Sequence, residues 1–387
     1  VRIAVTSEYH FRRGAHGGVA TDAAYPYRFW DGLRAVFDEV VVIARVGGAV
    51  GGGPADGPGV RFAAIPDFVG VSGLARHGVA LAAIVHAAVV DADVVLLRAP
   101  GVMATAAHAA ARLRGRPHGV EIVGDPRESL TSASPTLARL GDLGATLLRA
   151  QVRGAIATRY VTDGTLQRRY PPPRGRFTIA ASDLELPDAL FDDAPVAIDD
   201  RDLLELVWVG ALARPYKGVD VLLAALAQTR RPHRLTLVGD GVLREALTAD
   251  AAARGLAERV RFTGMLASGP PVLAQLRAAD LFILPSRTEG LPRAMIEAMA
   301  VGLPCLATPV GGVPELLPVE AMVPVGDATA LAHAIDALAA SPQRRRALAA
   351  QNRERARPFR TSQRQQRMSE FYRALRSAAG TPRPDTG

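Results

Sequence analysis

Short hydrophobic runs recur along the chain, each closed by Gly, Pro or a polar cluster and followed by a longer stretch with helical spacing. In the first half this pattern predicts strands at Arg2–Thr6, Glu39–Ala44, Val60–Ala64, Val94–Arg98, His118–Val123 and Ala157–Val161, with a short closing strand at Phe177–Ala180. Helices are expected near 19–37, 74–90, 101–113, 136–153 and 163–170. The stretch DLELPDALFDDAPVAIDDRD has no periodicity and reads as a connection between domains. A second alternation follows, with strands at Leu204–Val209, Arg234–Val238, Val260–Thr263, Leu281–Pro285, Pro304–Thr308 and Ala321–Val325. Strands alternating with helices imply parallel sheets covered on both faces. The expected fold class is therefore α/β, with two doubly wound Rossmann-like domains facing a cleft and chemistry in the loops after the strands.

The length of 387 residues suits two domains. The longest apolar stretch, GVALAAIVHAAVV, is short of a membrane span, and the start RIAVTS lacks the order of a signal peptide, so a cytoplasmic location is expected. Cys305 has no partner cysteine and reads as a small buried side chain. Positive charge is concentrated at one end. Residues 341–376 carry eleven Arg against Glu354 and Glu370, while the remainder is nearly neutral. That terminal helix reads as a solvated face or as a contact with the inner face of a membrane; nucleic acid is disfavoured because no recognition module accompanies it. The chain has 45 Arg and one Lys, Lys217. A lone survivor of Arg-biased coding is either chance or a site that needs a compact charge on a flexible stem.

No Walker loop, GxSxG elbow or zinc-ligand spacing occurs, and no metal or cofactor is expected. The most informative stretch is LFILPSRTEGLPRAMIEAMAVGLPCLATPVGGVPEL. A loop leads from a buried strand into a helix opened by Pro292, and from Ala294 to Val301 the sole charged residue is Glu297. A carboxylate on so apolar a helix needs a partner, either an Arg or the vicinal hydroxyls of a ribose. Glu289 stands at the helix start beside the amides of Gly290 and Leu291, which suit polar or anionic ligand atoms.

Glu289 and Glu297 form an E-x7-E signature, and TEGLPRAMIEAMAVGLPCLATPVGGVPEL resembles the donor-site segment of retaining glycosyltransferases of the GT-B fold, family four (group 1). WVGALARPYKGVDVLLAALA, LTLVGDGVLREAL and VRFTGML resemble the preceding units of the same family in order, so the resemblance is close from 204 to about 340. GAHGG resembles, more loosely, its glycine-rich loop after the first strand. The resemblance implies an acceptor domain at 1–187, a nucleotide-sugar domain at 188–357 and a helix at 358–380 crossing back to the first domain. It implies a nucleoside-diphosphate sugar, most often a UDP-sugar, as co-substrate and a hydroxyl acceptor: a glycan, a lipid-linked saccharide or a natural-product aglycone. Glu297 would hold the ribose; Glu289, Gly290 and Leu291 would hold the sugar and diphosphate; Lys217 would neutralise the diphosphate. The family arginine after the strand is replaced by Ala211, and Arg214 either takes its place or is solvated.

Gly17 and Gly18 would admit the diphosphate from the other domain, and Gly264 and Met265 would lie near the base. Acceptor candidates are Asp125, Glu121, Arg98 and His16, with Arg12 beside it; for each, a salt bridge or turn cap is an equal reading. The implied reaction is metal-independent front-face substitution with retention. A GT-B sugar-nucleotide epimerase and a non-catalytic nucleotide-sugar-binding protein are the alternatives.

Overall fold

The computed structural model describes residues 1–14, 17–22, 25–48, 50–127 and 138–379. The chain divides into two compact units, one made of Val1–Asp183 with Gln365–Gly387 and the other of Leu184–Arg364.

In the first unit, β1 (Arg2–Arg13), β3 (Glu39–Gly47), β5 (Val60–Pro66), β6 (Val94–Ala99), β7 (His118–Ile122), β8 (Ala157–Tyr160) and β9 (Phe177–Ala180) form a parallel sheet. Their order is β5-β3-β1-β6-β7-β8-β9. β6 and β7 are buried along their length, as strands in a sheet covered on both faces require. β1 extends past the predicted end at Thr6 through an irregularity between Thr6 and His10. Arg12 is therefore a strand residue, paired with Asp22 at 2.7 Å, and not part of a loop.

The helix expected at 19–37 does not form. Gly17, at φ 83°, turns the chain back, and β2 (Val19–Thr21) pairs antiparallel with β1 and with β4 (Gly53–Pro54). Only a 3-10 turn at Tyr27–Trp30 and a short helix at Asp31–Arg34 follow. The helix-like spacing of aromatic residues belongs to a ring cluster: Tyr25, Phe29 and Trp30 pack together and onto Phe11 and Phe62, and the Trp30 indole donates to the Ala55 carbonyl. Tertiary packing, not helical periodicity, placed these side chains.

The apolar stretch read as too short to span a membrane lies in a 21-residue helix, Gly70–Val90, which is long and apolar enough to do so by composition. It nevertheless packs on the sheet, burying Leu81, Val85, Ala88 and Val89 in the core of the unit. Helix Val102–Leu113 flanks it and brings His108 against His118 of β7, with ring centroids 5.0 Å apart. Burial keeps both imidazoles neutral, with the His108 pKa pushed down to about 4. The unfolded chain takes up protons below about pH 6.5, so stability should fall as pH drops from about 6.5 towards 4. Melting temperature should decrease between pH 7.5 and 5, and His108→Gln should flatten that slope; equal slopes would remove the pair as its cause.

Helix Thr361–Ala379 completes the first unit, burying Met368, Phe371, Tyr372 and Leu375 beside Trp30, Val42 and Leu96. Leu375 lies so close to Gly119 that a Cβ there would stand 2.3 Å from it.

The second unit has a parallel sheet ordered β12-β11-β10-β13-β14, formed by β10 (Leu204–Val209), β11 (His233–Val238), β12 (Val260–Gly264), β13 (Leu281–Leu284) and β14 (Cys305–Ala307). The strand expected at Ala321–Val325 shrinks to one bridge between Ala307 and Met322 and one bond from Val323 to Ala307. Pro324, which has no N–H, stops the ladder there. The Asp- and Pro-rich connection packs instead of hanging free: Leu184, Leu186, Leu190 and Phe191 enter this unit's core. Leu186 also pairs with the returning chain, its N–H donating to Phe359 and its carbonyl accepting from Thr361.

Nine of the eleven arginines of 341–376 have side-chain partners. Arg345 binds the carbonyls of Leu338, Ala339 and Asp199, Arg353 those of Phe191 and Asp193, and Arg355 that of Leu316. Arg346, Arg357, Arg360, Arg364, Arg367 and Arg376 are likewise engaged. The basic run is largely a set of staples.

Candidate donor site

The loops at the carboxyl edge of the second sheet are interlocked. The Gly210 N–H donates to Val238 and the Gly239 N–H to Gly264, tying the ends of β10, β11 and β12 together. Gly239, at φ 140°, approaches so near that a Cβ would stand 1.8 Å from the Gly210 carbonyl oxygen. Leu212 is buried and anchors the next loop, donating to Asp240 and accepting from Leu243. A 3-10 turn, Pro215–Lys217, then leads through Gly218 into helix Val219–Leu226.

The loop after β13 carries the predicted glutamate. Glu289 is buried, and its Oε1 accepts from Lys217 Nζ at 2.7 Å and from Ser286 Oγ at 2.6 Å. Residues assigned separately to diphosphate and sugar thus form one ion pair, spanning 72 positions of sequence. Both donors use the same oxygen, so Oε2 keeps its lone pairs for a further donor. From the other side the Gly311–Gly312 loop supports the turn: the Gly312 N–H donates to Gly290, and a Cβ on Gly311, at φ 54°, would stand 1.8 Å from the Glu289 carbonyl oxygen. Among the described residues the N–H groups of Gly290 and Leu291 have no hydrogen-bond partner.

Helix Arg293–Ala300 starts directly after Pro292 and buries Met295, Ile296, Ala298, Met299 and Ala300. Glu297 occupies the uncovered stripe and is half-buried, not enclosed as its apolar surroundings predicted. Burial pushes its pKa up, with Arg293 opposing weakly, and no hydrogen bond or ion pair reaches its carboxylate among the described residues. The arginine partner offered as the structural reading is not within bonding distance.

Arg214 is exposed at the start of the 3-10 turn, and Ala211 is exposed as well. Gly264 stands at φ 76° beside the Asp240–Arg244 pair, and Met265 is 70% exposed. Sequence reading missed Arg287, Asp220 and Ser286. Arg287 forms a two-pronged pair with Asp220, at 3.0 and 2.6 Å, and holds that carboxyl below its ordinary range. The signal was present, since Asp220 lies three residues after Lys217 and Arg287 two before Glu289. Pairing across 67 positions, however, is invisible without the strand order.

The first unit places its candidates differently. Arg98 donates to Glu121 at 2.5 Å and to Asp183 at 3.2 Å, and fully buried Arg159 joins the same two carboxylates. Burial alone would lower the Arg98 pKa; Glu121 and Asp183 overcome it and hold the guanidinium charged. Asp125 accepts from the Arg127 N–H, the Tyr170 hydroxyl and Arg169. For Arg98, Glu121 and Asp125 the salt-bridge and turn-cap reading therefore describes the fold. Gly17 has open space around it, whereas Gly18 lies against Asp56. His16 falls outside the described residues.

Among the described residues no three His, Cys, Asp or Glu side chains converge as metal ligands.

Two doubly wound units, the second with carboxylates, an ammonium and open amides at its carboxyl edge, have the architecture of the GT-B fold. Residues 204–341 match the family of group 1 glycosyl transferases. Protein CapJ of Staphylococcus aureus is 23% identical over 295 residues, 74% of each chain. Among solved structures, sucrose-phosphate synthase from Thermosynechococcus elongatus superposes with a TM-score of 0.71 at 22% identity, covering 97% of this chain and 99% of its own. HepE of Anabaena, solved in complex with UDP, gives 0.67 at 19% identity, covering 96% and 99%.

Proposed function

We propose that the protein transfers a hexose or hexosamine from a nucleoside-diphosphate sugar, UDP-linked by preference, to a hydroxyl of a glycan, lipid-linked saccharide or natural-product aglycone in the cytoplasm, with retention. The observation that carries this reading is the pair Lys217–Glu289 beside open amides, with unpartnered Glu297 eight residues on. In it, Glu297 accepts both ribose hydroxyls, the amides of Gly290 and Leu291 bind diphosphate oxygens, and Glu289 Oε2 accepts from a sugar hydroxyl. Gly264 and Met265 flank the base. The leaving diphosphate gains negative charge as the glycosidic bond breaks; Lys217, with Arg214 and the amides, meets that charge in a preformed field. The departing phosphate takes the acceptor proton as the new bond forms on the same face. HepE, solved with UDP and with UDP-glucose, supports the donor class by analogy.

The test is nucleotide release from a panel of UDP-, GDP-, ADP- and dTDP-sugars, with and without hydroxyl acceptors, in saturating EDTA. Acceptor-dependent release from a UDP-sugar is expected, with activity within about twofold of that without chelator. A loss of more than tenfold restored by Mg²⁺ would overturn the metal-independent route, and binding without turnover would leave a nucleotide-sugar-binding protein.

The stapled arginines bear on the acceptor. With nine of eleven engaged inside the chain, the protein should stay in the supernatant with anionic liposomes at physiological ionic strength, where exposed charges are screened beyond ~8 Å. Cosedimentation there would assign a lipid-linked acceptor.

A further inference from the structure

We propose that Arg287 is a positioning residue of the donor site, clamping the Pro215–Lys217 turn so that the Lys217 ammonium stands over Glu289. The proposal rests on the reading of Lys217 as the diphosphate contact.

Arg287 grips this turn through both backbone and side chain. Its N–H donates to the Tyr216 carbonyl at 2.7 Å, and Nη1 donates to the Pro215 carbonyl at 2.7 Å. Nη1 and Nη2 also bind the two oxygens of Asp220, in the first turn of helix Val219–Leu226. The contacts thus bracket Lys217, two before it in sequence and one after. Within the bracket the turn has little support of its own: one bond, from Gly218 N–H to Pro215, closes it. Gly218, at φ 69°, is pressed against the β13 end, where a Cβ would stand 2.0 Å from the Pro285 oxygen. The turn therefore lies on the very segment that carries Arg287 and Glu289.

Arg287 makes no hydrogen bond or ion pair with Lys217 or Glu289, so it acts through them. Its pair with Asp220 is half-exposed, and such pairs contribute little to stability. Its value is geometric. A lysine ammonium on a four-carbon stem has many rotamers, and where it stands depends on the backbone that carries it. A planar guanidinium can hold a carboxylate with two prongs and a carbonyl at once; a lysine at 287 cannot. No carboxylate other than Asp220 reaches Arg287 among the described residues.

The test is a double-mutant cycle on the full chain, reading kcat and KM for nucleotide release from the preferred sugar nucleotide, with the melting temperature of each variant. Arg287→Ala should lower kcat at least tenfold when Lys217 is present and less than twofold in the Lys217→Ala background, because both changes remove the same placed charge. Arg287→Lys should recover only part of the loss, and within each background the substitutions at 287 should leave the melting temperature nearly unchanged. If Arg287→Ala does not fold, Arg287→Lys runs through the same cycle. Equal losses in both backgrounds, or wild-type kinetics for Arg287→Ala, would overturn the clamp. A silent Lys217→Ala would instead overturn the donor-site reading itself.

Discussion

Lys217→Ala should lower kcat on the order of 100-fold or more, comparable to removing one donor that stabilises a developing anion. Lys217→Arg should lower kcat at least tenfold, about 1.4 kcal/mol, and affect donor binding less. Arginine keeps the charge, but its longer reach and planar fork carry that charge away from the point, 2.7 Å from Glu289 Oε1, where the Lys217 ammonium stands. The structure adds a stability effect to separate from this. Removing the ammonium leaves the buried Glu289 carboxylate with Ser286 alone, so Lys217→Ala should also lower the melting temperature. Adding Glu289→Gln should restore stability without restoring turnover. Steady-state kinetics beside thermal melts on the four proteins decide the matter; wild-type turnover in folded Lys217→Arg would reduce the lone lysine to a coding accident.

The second large effect concerns Glu297. Glu297→Ala should weaken binding of free UDP by roughly tenfold to a hundredfold, since a charged acceptor of two hydrogen bonds is lost. Glu289→Ala should chiefly lower turnover of the whole donor. Stability should move the other way from a structural expectation. Glu297 is half-buried and unpartnered on a helix, and alanine both favours helix and removes the desolvated charge. Because its pKa is raised in the folded chain, ionised Glu297 works against folding above the ordinary carboxylate pKa and ceases to do so once protonated. The melting temperature of Glu297→Ala should equal or exceed wild type at pH 7.5, with the difference shrinking towards pH 4. Equal losses of UDP affinity in both glutamate variants would refute the division of labour, and a destabilised Glu297→Ala would return Glu297 to a purely structural role.

Much of the scaffold was legible because its signals are local. β10 and β9 fall on the predicted residues, and most other core strands within one or two, since buried parallel strands are continuous apolar runs closed by Gly, Pro or polar residues. The failures have physical causes. Aromatic residues near 25–30 mimic a helical stripe while packing as a ring cluster, and Pro324 cuts short a strand that hydropathy favours. In the site, Glu289, Glu297 and Lys217 were conspicuous by type: two carboxylates and one ammonium in apolar or arginine-rich surroundings. Their joining was not, because the Lys217–Glu289 contact depends on β13 lying next to β10 in the sheet. The same limit hid Arg287 and the pairing of Arg98 with Glu121, which are neighbours in one buried network.

The return of the last helix reverses the order in which the molecule can be finished during synthesis. The first unit lacks Phe371 and Leu375, both fully buried in it, until residue 375 has been made. The second unit begins at Leu184 and has its whole sequence by Arg364. A nascent chain stopped just short of residue 365 therefore carries a complete second unit and a first unit with an open apolar seam beside Trp30 and Gly119. Domains usually mature from the amino end as they emerge; here the half made first must wait, unsealed, for the half made second.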